Sequence, residues 1–299
     1  MRAHPWQPQS PCGAGCVPGD LPKVSPPRRL VRLLSATSFL ICGLFIAPCL
    51  PLLKTSRRER VVRWVFRTVL RAIGAKIEVR GRAHLELGGR GALVVNNHIS
   101  WLDIVAVNAV RPMRAQGKKE IRRWPLIGRL ATGAGTVYLD RESLRALPSG
   151  VVELTGALRA GSLVNVAPEG TTWCGMASGR FRPAMFQAAI NAGVPVVPIA
   201  LRYRLLDGRD TTAPAFIGDE TLLTSVRRTA RVRGLIVEAH VLPPIESDAA
   251  EDRRGLAALA QAAVTTTLAG ERESVPQPAL PSISHHDETS TTVSVNTTT

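Results

Sequence analysis

Hydrophobic and polar positions along this 299-residue chain fall into three regimes. From Leu33 to Leu53 no residue is charged, a stretch nominally long enough to cover roughly 30 Å of hydrocarbon. From Arg57 to Gly74, Val61, Val62, Trp64, Val65, Val69 and Ile73 mark one side of a helix, and Arg58, Arg60, Arg63, Arg67 and Arg71 the remainder. A basic amphipathic helix with a tryptophan suits a membrane interface, and equally a helix packed on a domain with its arginines solvated. From Ile77 to Ile245 short β-branched runs alternate with helical stretches. Ile77–Val79, Ala92–Val95, Thr136–Leu139, Leu163–Ala167, Val194–Ala200 and Leu235–Val241 predict strands, and 100–110, 119–131, 143–160 and 184–192 predict helices. The pattern is that of an α/β fold with a mainly parallel central sheet and helices on both faces, preceded by an N-terminal membrane-associated helical segment.

This divides the chain into a Pro/Gly-rich disordered leader (1–27), a membrane-embedded segment with the basic amphipathic helix (28–75), an α/β domain (76–247), a C-terminal helix (248–270) and a Ser/Thr-rich disordered tail (271–299). Asp207-Gly208 marks a tight turn. Pro48 and Pro51 interrupt the last third of the apolar run, and basic residues stand on both of its flanks. The positive-inside rule therefore does not orient it, and two readings stay open: a span, or a segment that dips in and returns. Its late start and the absence of a small-x-small site speak against a cleaved signal peptide.

The formal net charge of +15 implies an anionic partner. Aromatics are only 4% and do not interleave with the basic residues, which argues against nucleic acid. Charge gathered around an apolar segment favours an anionic bilayer surface instead. Cys12, Cys16, Cys42, Cys49 and Cys174 form an odd, scattered set read as free thiols of a reducing compartment. The histidines are scattered as well, so no metal site is expected.

The strongest chemical signal is Val95-Asn96-Asn97-His98-Ile99-Ser100-Trp101-Leu102-Asp103. His98 falls where a strand ends and a helix begins, the edge at which ligands gather in α/β folds. Five residues rotate a helix about 500°, so His98 and Asp103 do not share a face of one helix. With His98 ahead of the helix and Asp103 in its first turn, the carboxylate can fold back onto the imidazole, fix its tautomer and stabilise the imidazolium. The plainer alternative is a helix-capping Asn97 with an incidental histidine. Three further stretches follow at strand ends: Gly135 to Arg141, Pro168-Glu169-Gly170-Thr171-Thr172, and Val194 to Ala200, whose prolines disfavour a regular central ladder.

Together and in this order, these blocks resemble the glycerolipid acyltransferase family (1-acyl-sn-glycerol-3-phosphate acyltransferase, PlsC-like), over residues 60 to 245. Lys118-Lys119-Glu120 and Trp124-Pro125-Leu126-Ile127-Gly128 also sit at family-like positions. The resemblance implies transfer of a fatty acyl group from acyl-CoA or acyl carrier protein, with no bound cofactor, to a lysolipid hydroxyl in the bilayer. It gives His98 the role of general base and Asp103 that of its orienting partner. It assigns acceptor binding to Gly135, Asp140, Arg141, Glu169, Gly170, Thr171 and Arg182. The favoured product is phosphatidate, made at the cell membrane by a domain on the cytoplasmic side. One departure matters: Thr172 stands where the family usually carries a phosphate-binding arginine, so a lyso-ornithine lipid or another lysophospholipid is the alternative acceptor. Without a Gly-x-Ser-x-Gly elbow, no serine acyl-enzyme is implied. A hydrolase using the same His-Asp pair and a non-catalytic module for anionic lipid are the competing readings.

Overall fold

The computed structural model describes residues 8–125, 127–140 and 143–273. Seven strands among them form one sheet: β1 (Ala75–Arg80), β2 (Ala92–Asn96), β3 (Arg114–Lys118), β4 (Val137–Leu139), β5 (Leu163–Val166), β6 (Val196–Leu205) and β7 (Leu235–Val241). Their order is β1-β7-β6-β2-β5-β3-β4, parallel throughout except for the antiparallel β6–β7 pair. The helices are α1 (Pro26–Ile46), α2 (Thr55–Ile73), α3 (Leu102–Val110), α4 (Ile127–Gly133), α5 (Leu147–Arg159), α6 (Phe186–Ala192), α7 (Leu222–Arg231) and α8 (Arg253–Glu273).

Strand alternation splits the core into two layers. Leu93, Val95, Val164, Val166 and Val196 point to the face covered by α5, α6 and α8. On the other face, Val94, Val197 and Ile199 meet α3, while Leu205 and Val237 lie with side chains of α2, α3 and α7. All five residues of β2 are buried because both faces are covered, which is why its sequence is a continuous apolar run rather than an alternating one.

Four features depart from the sequence pattern. β3 carries Arg-Ala-Gln-Gly-Lys, with no apolar run to announce it, and is placed by its neighbours. Gly117 makes room there, since a Cβ would come within 3.2 Å of the Thr136 methyl. Pro198 lies inside β6 between two partner strands. Its carbonyl accepts from Leu242, just past the end of β7, so the missing N–H points where that ladder has already stopped. The third feature is α7, which the sequence reading missed although Thr221 caps it by accepting from the Thr224 N–H.

The last departure is the leader. Residues 8–25, expected to be disordered, lie along the domain: Lys23 bridges Val232, the Val24 N–H donates to Arg231 and the Arg233 N–H to Pro22. Cys12 is buried among residues of the α3-side core. Residues 1–7 and 274–299, the latter holding most of the expected tail, lie outside the described residues.

The apolar segment forms α1, long and apolar enough to cross a membrane, with none of its most apolar window buried. It gives way to a 3-10 stretch, Ala47–Leu52, and α2 then packs alongside it. Near its start, Arg32 donates to the carbonyls of Ala230 and Val232; near its end, Gly43 approaches Leu130 of α4. Both ends of α1 therefore rest on the α/β domain.

Candidate active site

The site is assembled by register. Val95 stands level with Val166, Asn165 with Ala115, and Lys118 with Leu139. Continued past the strand ends, that register lines up His98, Glu169, Lys119 and Asp140 along the carboxyl edge of the sheet. With strands about 4.8 Å apart, Asp140 sits roughly 14 Å from His98 along this rim.

At the β2 end, the Nδ1 of His98 lies 2.8 Å from Asp103 Oδ2. The same oxygen accepts from the Ile99 N–H at 2.7 Å and the Ser100 N–H at 2.9 Å, and Asp103 Oδ1 accepts from the Tyr203 hydroxyl at 2.6 Å. Four donors thus converge on a carboxylate only 1% exposed, in the first turn of α3 where the helix dipole favours negative charge. Burial, with the adjacent Asp103 carboxylate, holds the Tyr203 phenol well above its usual range, so Tyr203 stays a donor. An acceptor-only carboxylate beside Nδ1 assigns the ring proton to that nitrogen and leaves Nε2 as the acceptor. Nε2 makes no hydrogen bond among the described residues, and the ring is 18% exposed.

The loop holding His98 is tied down on all sides. Asn97, the candidate helix cap, instead exchanges two bonds with the Leu201 backbone, extending the β2–β6 ladder with a side-chain amide. The Trp173 N–H donates to the His98 carbonyl, the Phe216 N–H to the Ile99 carbonyl and the Ser100 hydroxyl to the Pro214 carbonyl.

Glu169, expected to bind the acceptor, is buried beneath this loop. Its Oε2 accepts from the His98 N–H at 2.5 Å and its Oε1 from the Gly179 N–H at 2.7 Å. Burial pushes its carboxyl up to about 7; the two backbone donors pull the other way, and the Asp103 charge adds to the rise. Gly170 follows with φ +76°, a left-handed turn that glycine adopts without strain. The aliphatic stem of Arg182 runs close to Gly170, and the Arg182 N–H donates to the Pro168 carbonyl. Thr171 is half-buried beside them. Thr172 donates its hydroxyl to the Phe216 carbonyl, so the position where an arginine was expected serves to join two loops.

The remaining expected residues lie further off. Asp140 bonds Lys119 Nζ at 2.6 Å, both partly exposed, at the far end of the rim. Gly135 precedes β4 and is level with Leu93 by register, at the opposite end of the strands from His98. Its φ is +74° and its carbonyl accepts from Arg114 Nε. Arg141 lies outside the described residues. Sequence reading did not find Asn97 as a ladder extension, nor Tyr203, because the strand carrying Tyr203 continues five residues beyond the apolar run that announced it.

Residues 76–202 match a family model described as Acyltransferase. The chain is 34% identical over 220 residues to a 1-acyl-sn-glycerol-3-phosphate acyltransferase of Neisseria meningitidis serogroup B, covering 66% of this chain and 86% of that protein. It is 36% identical over 218 residues to a lyso-ornithine lipid O-acyltransferase of Pseudomonas aeruginosa, covering 72% of this chain and 81% of that one. Its fold matches the crystal structure of the 1-acyl-sn-glycerophosphate (LPA) acyltransferase PlsC from Thermotoga maritima with a TM-score of 0.66 at 18% identity, over 84% of this chain and 97% of that one.

Proposed function

The chain belongs to the Acyltransferase family, and on that premise we propose that it moves a fatty acyl group from acyl-CoA or acyl carrier protein to the hydroxyl of a lysolipid. The observation carrying this reading is His98, held through Nδ1 by a buried, fully bonded Asp103 while Nε2 makes no hydrogen bond among the described residues and the ring stays partly exposed. A lipid hydroxyl is a poor nucleophile near neutrality. Nε2 takes its proton as the oxygen attacks the thioester carbonyl. The tetrahedral intermediate collapses with cleavage of the C–S bond, and the departing thiolate recovers the proton from the imidazolium. Positioned base catalysis of this kind is typically worth 10²- to 10⁴-fold. Asp103 keeps the ring in the productive tautomer throughout.

The first acceptor under this reading is lysophosphatidate, its phosphate met by Arg182 beside Gly170 and by Arg141; a guanidinium fork matches phosphate oxygens. Thr172 favours a second acceptor, a lyso-ornithine lipid, because a neutral hydroxyl, bonded to the Phe216 carbonyl, puts no positive charge at that position. Relatives of both kinds match at similar identity, so identity does not choose between them. Membrane attachment runs through α1 and α2. Leu30, Val31, Leu34, Phe45 and Trp64 are exposed on them, and Leu52 on the 3-10 stretch between, next to the arginines of α2, a combination suited to lying at an anionic interface on the cytoplasmic side.

The test is an acceptor panel. Lysophosphatidate, lyso-ornithine lipid and glycerol-3-phosphate are each offered with acyl-CoA and with acyl carrier protein thioester, and products are identified by mass. Acyl transfer to at least one lysolipid is expected. Free fatty acid formed equally with and without acceptor would mean hydrolysis, and no turnover with any pair would leave a lipid-binding module.

A further inference from the structure

Cys12, Cys16 and Cys174 were expected to be unrelated thiols, yet the fold brings their sulfurs within 4.8 Å of one another. We propose that they form a binding site for a thiophilic d¹⁰ cation, Zn(II) in the first place, that fastens the leader to the rim of the candidate active site. Three thiolates on one tetrahedral ion at about 2.3 Å stand about 3.8 Å apart, so the sulfurs need to close by about 1 Å at most. A disulfide would use two of the sulfurs and give the third no part. Cys12 and Cys174 are buried, while Cys16 is half-buried, which provides a route for the ion and leaves the fourth position to water. The Cys174 N–H already donates to the Cys12 sulfur at 3.3 Å, an arrangement that supports a negatively charged thiolate ligand.

Each ligand is anchored to a wall of the His98 loop. Cys174 follows Trp173, whose N–H holds the His98 carbonyl. The Cys16 carbonyl accepts from Thr212, in the segment that also holds Ile99 and Ser100. Ahead of Cys12, Pro8 packs against Gly170, where a Cβ would meet it at 2.5 Å. An ion bound here would pin the leader across the Glu169-Gly170-Thr171 turn. This inference concerns chain geometry and stands apart from the acyl-transfer reading.

The experiment titrates the full chain, purified in detergent under a phosphine reductant and without added oxidant, with Zn(II) against a chromogenic chelator. Co(II) serves as a second probe whose visible bands report thiolate ligation. One Zn(II) per chain is expected. Cys12→Ser, Cys16→Ser and Cys174→Ser should each weaken it by more than about 100-fold, beyond what loss of an outer hydrogen bond costs. Cys42→Ser and Cys49→Ser should bind as the parent does, and Zn(II) should slow proteolysis of the leader. Should Cys174→Ser fail to fold, the two leader variants, which leave the sheet untouched, carry the test. Absence of stoichiometric binding, or binding unchanged in the three variants, would overturn the proposal.

Discussion

The two ends of the sheet's carboxyl rim are built differently. At the β2 end the two carboxylates beside His98 are buried and bonded, with four donors on Asp103 and two on Glu169. At the β4 end the strands are short, β3 pairs with β5 over two positions, and the Lys119–Asp140 pair is partly exposed. A base has to meet its substrate within tenths of an ångström, and only a fully bonded surround holds it there. A charged head group can be gripped by longer side chains on a looser frame. The contrast sets the buried, bonded pair that carries the proposed chemistry against a partly exposed ion pair at the far end of the rim.

The largest expected effect is at the dense end. His98→Ala should lower kcat by about 10²- to 10⁴-fold, and Asp103→Asn by a similar factor through loss of the tautomer, with circular dichroism and lipid binding unchanged for His98→Ala. Retained kcat in His98→Ala would remove the base assignment.

Glu169 sharpens the comparison through pH. Its folded pKa of about 7 lies above the ordinary 4.5, so between those values the folded chain holds a proton that the unfolded chain has released. Its contribution is therefore greatest below about pH 4.5 and is lost as pH rises through 7, a decline on the order of 3 kcal/mol. Denaturant midpoints at pH 5 and pH 8 measure the slope. Glu169→Gln should flatten it while adding a pH-independent penalty, since an amide NH₂ then faces one of the two backbone donors. A slope unchanged in Glu169→Gln would assign the pH dependence elsewhere.

Effects outside the His98–Asp103 pair should be smaller and fall on binding. Arg182→Ala should raise the acceptor KM about tenfold with kcat nearly unchanged, the signature of lost uniform binding. Lys119→Ala should cost no more than about 1 kcal/mol of stability, as expected for an exposed ion pair. A drop in kcat equal to that of His98→Ala in either variant would erase the distinction between the base and these outer residues.

How much of this was legible in the chain follows from sequence distance. The His98–Asp103 pair spans five residues and can be reasoned from a strand-to-helix junction alone. Glu169 is legible as a site residue, but its bond to the His98 N–H is not, because that N–H is 71 residues away and only parallel register brings the two together. β3 was missed because its faces are only partly covered, so its residues need not form an apolar run, and its place is set by pairing with β5 and β4. The folded-back leader was missed because Pro/Gly-rich composition reports weak local preference and says nothing of an external surface that can hold the chain.

The amino-acid order by itself determined the α/β alternation, the apolar and basic N-terminal helices and the histidine-carboxylate pair, since each rests on periodicity or on contacts a few residues apart. Tertiary structure alone decided that Tyr203 completes the Asp103 shell, that Glu169 lies beneath the His98 loop, that α1 rests on the domain at both ends and that three distant cysteines meet. Those outcomes depend on strand register and on which surfaces pack, and a one-residue change in register would alter them while leaving local propensities intact.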